Sequence, residues 1–272
     1  MMKSITLLKK SISFIRKNPK KLLPIFGLEI LFIIVLMISS VFFLENLADK
    51  IGAISNVIGE LNPENFANEL SNMDYAKYTL IKEKLETLVF DLLKVASVIF
   101  AVIFVLYCIF EGLSLKIAYK MHEKIKKGFM ARFILASLIF FLLIILAIQL
   151  FSGILTSSTM SISDILLKPI GQLFFIIVIL LIKYVMFSSM TIMNKYSSMK
   201  EFLFAIPKNS IKNIKLILPC FLMCAILLFG AYCIGYLLFQ INFYATFFCL
   251  FIAVPIALAY AKLMITLISK EL

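Results

Sequence analysis

The chain has 272 residues, of which 62% are hydrophobic, and its 27 Lys and Arg outweigh 15 Asp and Glu for a formal net charge of +12. A soluble domain carries about 45–50% apolar residues, so this composition excludes an ordinary soluble globular fold. The positive charge would suggest nucleic acid in a soluble chain, but here it is confined to the ends of apolar stretches, and no nucleic-acid partner is expected.

The first element is a basic amphipathic helix within residues 1–21. Ile5, Leu8, Ile12 and Ile15 share one face, with Leu7 and Phe14 at its edges, and Lys9, Lys10 and Arg16 flank it. Such a helix lies in the membrane interface with its lysines on anionic headgroups. An apolar stretch of about 20 residues crosses a hydrocarbon core of roughly 30 Å, and the first is Leu22–Leu44. It is too long for a signal peptide, and no small-residue cleavage site follows, so it reads as an uncleaved span.

Residues 45–91 form the only sizeable extramembrane part and are expected to make a small helical cap on the outer face. Leu47, Ile51, Ile54, Ile58 and Leu61 recur at helical spacing. Asn62-Pro63-Glu64 supplies an N-cap, a first-turn proline and an early acid for a second helix. A third helix, from about Asp74, runs into the second span. The remaining spans are Leu92–Leu113, Phe133–Phe151, Ile170–Met190, Leu216–Leu238 and Phe243–Ile268. Residues 216–261 contain no Asp, Glu, Lys, Arg or His at all. Continuous apolar runs without alternation predict helices, since backbone polar groups in hydrocarbon must be satisfied within the segment. The predicted fold is therefore all-α: a polytopic transmembrane helix bundle of six spans, residues 1–272 forming a single membrane domain.

Charge sets the expected orientation. Residues 1–21 carry seven basic groups and no acid, and the connections around Lys116–Arg132 and Lys195–Lys215 are also basic. The connection over 45–91 is acidic, and the two remaining connections hold only Asp164 and Lys168 between them. Basic and non-basic segments alternate as the positive-inside rule requires for six spans. The expected localisation is the cell membrane, multi-pass, with both termini cytoplasmic.

One internal repeat stands out. Residues 17–26 read KNPKKLLPIF and residues 212–221 read KNIKLILPCF. Lys, Asn, Lys, Leu, Pro and Phe coincide, each time ahead of an outward span, and Pro24 and Pro219 are expected in the first helical turn. The segment Phe202–Ile214 would then be a second surface helix, broken or kinked at Pro207.

Ionisable groups inside spans are the default pointers to function. Glu29 lies roughly 8 Å inside the first span and Lys183 roughly 10 Å inside the fourth, at 1.5 Å per residue. Their matching depth predicts an intramembrane ion pair, Glu29–Lys183, of structural character. Ser188, Ser189 and Thr191 are expected to bond within their own helix. Cys108, Cys220, Cys224, Cys233 and Cys249 lie in spans and read as small apolar side chains. Ala253, Ala257 and Ala261, with Ala231 and Gly235 on the preceding span, form small-residue stripes for close helix packing. The lone His122 and the absence of phosphate loops, metal clusters or a nucleophile–base set predict neither an enzyme nor a cofactor.

Phe14-Ile15-Arg16-Lys17-Asn18-Pro19 followed by Leu22-Leu23-Pro24 resembles the opening of a broad group of six-helix membrane domains, including the one attached to some glycerophosphodiester phosphodiesterases. The soluble phosphodiesterase part has no counterpart here, so its activity is not implied. The resemblance implies an uncharacterised, non-enzymatic membrane protein acting as scaffold or partner-binding component. The competing expectation is a permease subunit working with a separate ATP-binding-cassette ATPase, with Lys116–Arg132 as its coupling helix. Lysine over arginine, with abundant Ile and Phe, fits an AT-rich prokaryotic genome.

Overall fold

The computed structural model describes residues 2–17, 19–59, 75–156, 162–239 and 243–272. Among these it is all-helical, with eight helices: α1 (Met2–Lys17), α2 (Pro19–Gly59), α3 (Tyr75–Lys120), α4 (Phe129–Thr156), α5 (Ile162–Ile192), α6 (Met199–Lys212), α7 (Ile214–Phe239) and α8 (Phe243–Glu271). Six of them, all but α1 and α6, are long and apolar enough to cross a membrane. The all-α, six-span expectation is met, because each apolar run is longer than a single crossing needs.

The chain divides into two compact units. One unit is Met1–Ile30 with Cys108–Leu272, and the other is Leu31–Tyr107. The division follows from helix length, since α2 has 41 residues and α3 has 46, about twice what one crossing uses. The helix expected over Leu47–Leu61 is not a separate element, because α2 runs unbroken through Gly59. The helix expected from about Asp74 is the start of α3. The Asn62-Pro63-Glu64 start lies outside the described residues. In the second unit Lys50 and Asp91 approach to 3.9 Å, and Lys94 lies 3.4 Å from the same carboxylate.

In the first unit α7 packs along α8, α4 along α5, and α6 against α5 and α7. Ala231 and Gly235 of α7 and Ala257 of α8 are buried, as small-residue stripes allow when helices approach closely. Helix α1 packs on α7 and α8 through Leu7 and Ser11, whose hydroxyl lies 2.9 Å from Tyr260 Oη. Ile12, from the apolar face read in the sequence, is exposed.

The repeat marks equivalent breaks in the chain. Helix α1 ends at Lys17 and α6 at Lys212, while α2 begins at Pro19 and α7 at Ile214. Pro24 and Pro219 are thus each the sixth residue of their helix, not in its first turn as expected; Pro19 holds the first position. Neither proline ends its helix, and Pro207 does not break α6. The Asn213 carbonyl accepts the N–H groups of Leu216 and Ile217 at 2.9 Å each, so one residue both closes α6 and opens α7.

A buried acid–base cluster and a stapled end of the bundle

Glu29 of α2, Glu111 and Ser114 of α3, and Lys262 of α8 meet in the interior of the first unit. Lys262 Nζ donates to Glu29 Oε1 and, at 2.7 Å, ion-pairs with Glu111 Oε2. Ser114 Oγ donates to Glu29 Oε1 at 2.6 Å. Glu29 is 1% exposed and Lys262 5%, so water does not screen the contacts. Glu29 Oε2 is buried with no hydrogen-bond partner. A buried ion pair of this kind is costly to break, because removing one member strands the other's charge.

The expected pair Glu29–Lys183 is corrected by this geometry. Glu29 is ion-paired, but with Lys262. Lys183 is exposed on α5, and the charge it senses is that of Glu111. The buried stripe of α5 runs through Ile182, Met186 and Ser189. Lys183, one residue on from Ile182, is turned about 100° away from that stripe.

A second polar layer ties together two turns at one end of the bundle. Residues 121–128 join α3 to α4, and residues 193–198 join α5 to α6. Arg132, 1% exposed, spans both: Nε donates to the Met193 carbonyl at 2.9 Å, and Nη1 donates to those of Lys127 and Ser197 at 3.0 and 3.1 Å. Asn194 works in the opposite direction. Its Nδ2 donates to Glu123 Oε2 at 2.9 Å and to the Lys124 carbonyl at 3.1 Å, while its Oδ1 accepts the Lys126 N–H at 2.9 Å. Lys126 Nζ also donates to the Lys195 carbonyl. Tyr119 Oη donates to the Met190 carbonyl at 2.5 Å. Gly128, with φ of +75°, lets the turn reach α4, and a Cβ there would lie 3.2 Å from Arg132 Nη1. Residues 121–128 of the basic connection thus form a hydrogen-bonded turn between α3 and α4.

His122 sits in the same layer, its ring 4.7 Å from that of Phe14 and its Nε2 buried without a partner. Burial depresses its pKa, Lys270 and Lys21 add to the effect, and Glu123 opposes it. Burial likewise lowers that of Lys195, against the pull of Glu123.

Helix α6 is held by a third set of contacts. Asn209 Nδ2 donates to Ser188 Oγ at 2.9 Å and to the Ser188 carbonyl at 3.2 Å, with Thr191 Oγ1 at 3.3 Å. Tyr184 Oη donates to the Ser210 carbonyl at 2.7 Å. Ser189 and Thr191 bond within α5, as expected, to the carbonyls of Met186 and Ser188. Phe202, Ile206, Asn209 and Ser210 form the buried face. Phe204 and Ile211 are exposed beside Lys200, Lys208 and Lys212.

Cys108, Cys220 and Cys224 are buried free thiols, in keeping with their reading as apolar fillers. The side chains of Cys249, Phe243 and Tyr244 and residues Gln240 and Asn242 lie outside those described. Among the described residues no group of three His, Cys, Asp or Glu is placed to hold a metal. Sequence reasoning missed Glu111, Ser114, Lys262, Asn194 and Asn209. Lys262 could have been found, since it lies inside the last predicted span, directly after the uncharged run.

No family model, curated protein or solved structure matches the chain.

Proposed function

We propose that the chain is a non-enzymatic, multi-pass protein of the cell membrane that serves as a scaffold, its basic end on the cytoplasmic side against anionic headgroups and a membrane or soluble partner. The observation that carries this reading is the stapling of the 121–128 and 193–198 turns by Arg132, Asn194 and Lys126, which makes that end of the first unit stiff. Lysines 9, 200, 208 and 212 of α1 and α6 are exposed. A rigid face bearing outward lysines suits headgroups and acidic partners, because little side-chain or loop ordering is lost on binding. Both termini are cytoplasmic in this reading, in accord with the alternating charge of the connections.

The test is affinity purification of the tagged full chain in a mild detergent, together with labelling of single cysteines placed at positions 60 and 122 in intact cells. The scaffold reading expects labelling from outside at 60 and not at 122, and no ATPase in fixed ratio. Recovery of an ATP-binding-cassette ATPase in fixed ratio would replace it with the permease subunit. Labelling at 122 alone would overturn the orientation.

A further inference from the structure

The buried cluster holds two carboxylates and a single ammonium. Lys262 bridges Glu29 and Glu111, and the charged groups whose fields reach Glu29 are those two alone among the described residues. Lys183 of α5 senses the charge of Glu111, but it is exposed and is not among the charged groups that act on Glu29. If both acids were ionised, the interior would carry an uncompensated negative charge, which is far costlier than an unpaired neutral group. Like charges drawn to one site do not both ionise.

The hydrogen bonds say which acid differs. Glu111 Oε2 takes the ammonium at 2.7 Å. Glu29 concentrates its donors on one oxygen: Oε1 accepts both Ser114 and Lys262, while Oε2 is buried and receives nothing. That is the pattern of a carboxylic acid, whose carbonyl oxygen accepts and whose hydroxyl oxygen carries the proton. As a carboxylate, Oε2 would hold about half of a negative charge with no donor near it.

We infer that the cluster is a proton-binding site, in which one exchangeable proton resides on Glu29 Oε2 at neutral pH and completes the charge balance of the Lys262–Glu111 pair. The inference stands independently of the scaffold role. Its ligand is a proton, and a monovalent metal cation is the alternative that the experiment separates.

The test is infrared spectroscopy of the full chain in a maltoside detergent, which has no carbonyl of its own to mask the carboxylic C=O stretch. The wild-type chain at neutral pH should show a protonated-carboxyl band. Glu29→Gln should abolish it. Glu111→Gln should also abolish it, since Glu29 then ionises to pair with Lys262. Lys262→Met should not weaken it, since Glu29 then has no ammonium beside it to favour its ionised form. The wild-type measurement alone decides the matter if a variant does not fold: absence of any band at neutral pH overturns the inference. A band that survives Glu29→Gln overturns the assignment. A missing band combined with sodium-dependent thermal stabilisation identifies a metal cation instead and also overturns it.

Discussion

Replacing Arg132 with Met should be among the most damaging single changes at the stapled end. The side chain makes three charge-assisted bonds to main-chain carbonyls, at 2.9, 3.0 and 3.1 Å. Bonds to charged groups contribute about 1.5–3 kcal/mol each. The three acceptors are not equivalent, however. Met193 is fully buried, so its carbonyl is stranded when the guanidinium goes; Lys127 and Ser197 are exposed, and their carbonyls recover water. The expected loss is about 2 kcal/mol at Met193 and less than about 1 at each of the others, some 3 kcal/mol in all. For a chain of this size that corresponds to a melting shift of roughly 6–12 °C. The buried thiols of Cys108, Cys220 and Cys224 provide the assay, because a thiol-reactive dye labels them only as the bundle opens. Arg132→Lys keeps the charge but not the planar fork, and should fall between wild type and Arg132→Met. A Met variant that melts with wild type would refute the claim that these bonds hold the two turns together.

Gly128→Ala places a Cβ at φ +75° and 3.2 Å from Arg132 Nη1, and should cost roughly 1–2 kcal/mol in the same melting assay. Asn209→Leu removes the bonds to Ser188 and Thr191 and should free α6, seen as faster tryptic cleavage at Lys200, Lys208 and Lys212 without loss of the rest of the bundle. His122 has a folded pKa held below its unfolded value of 6.5, so its contribution is present above about pH 6.5 and is lost as pH falls toward the folded value. The melting temperature should therefore decline on acidification from pH 7, and His122→Phe should flatten that decline. An unchanged slope in the variant would refute the assignment of the decline to His122.

The number and type of the spans were legible because hydrophobic length is a one-dimensional property. The partner of Glu29 was not, because pairing depends on which way a helix is turned. Glu29 lies ten residues past the start of α2, and Glu111, Lys183 and Lys262 lie nine residues before the ends of α3, α5 and α8. Glu29 is thus about 15 Å from the N-terminal end of α2, and the other three about 14 Å from the C-terminal ends of their helices. Depth therefore selected the right layer but could not choose between Lys183 and Lys262. The stapled turns were illegible for a different reason. Arg132, Asn194 and Lys126 bond mainly to main-chain carbonyls and N–H groups, and those partners have no sequence signature. Asn209 carried a faint signal, as an amide on the apolar face of an amphipathic helix, which implies a polar partner opposite.

Carried three residues past its end, the register of the repeat sets Glu29 against Cys224. Ile25 and Cys220 are equivalent and both fully buried; Glu29 and Cys224, the next equivalent pair, are 1% and 4% exposed. The same local frame thus accepts a small apolar side chain in α7 where α2 carries an acid. On this comparison we expect the layer to pack without its charges. A triple variant, Glu29→Cys with Glu111→Leu and Lys262→Met, should therefore melt at or above wild type, as buried ion clusters exchanged for apolar groups of similar volume often do. Lys262→Met alone should melt far lower, by the roughly 3–5 kcal/mol that a stranded buried partner costs. If the triple variant is as damaged as the single one, the cluster is needed to hold α2, α3 and α8 in register, and its acid–base chemistry cannot be separated from the fold.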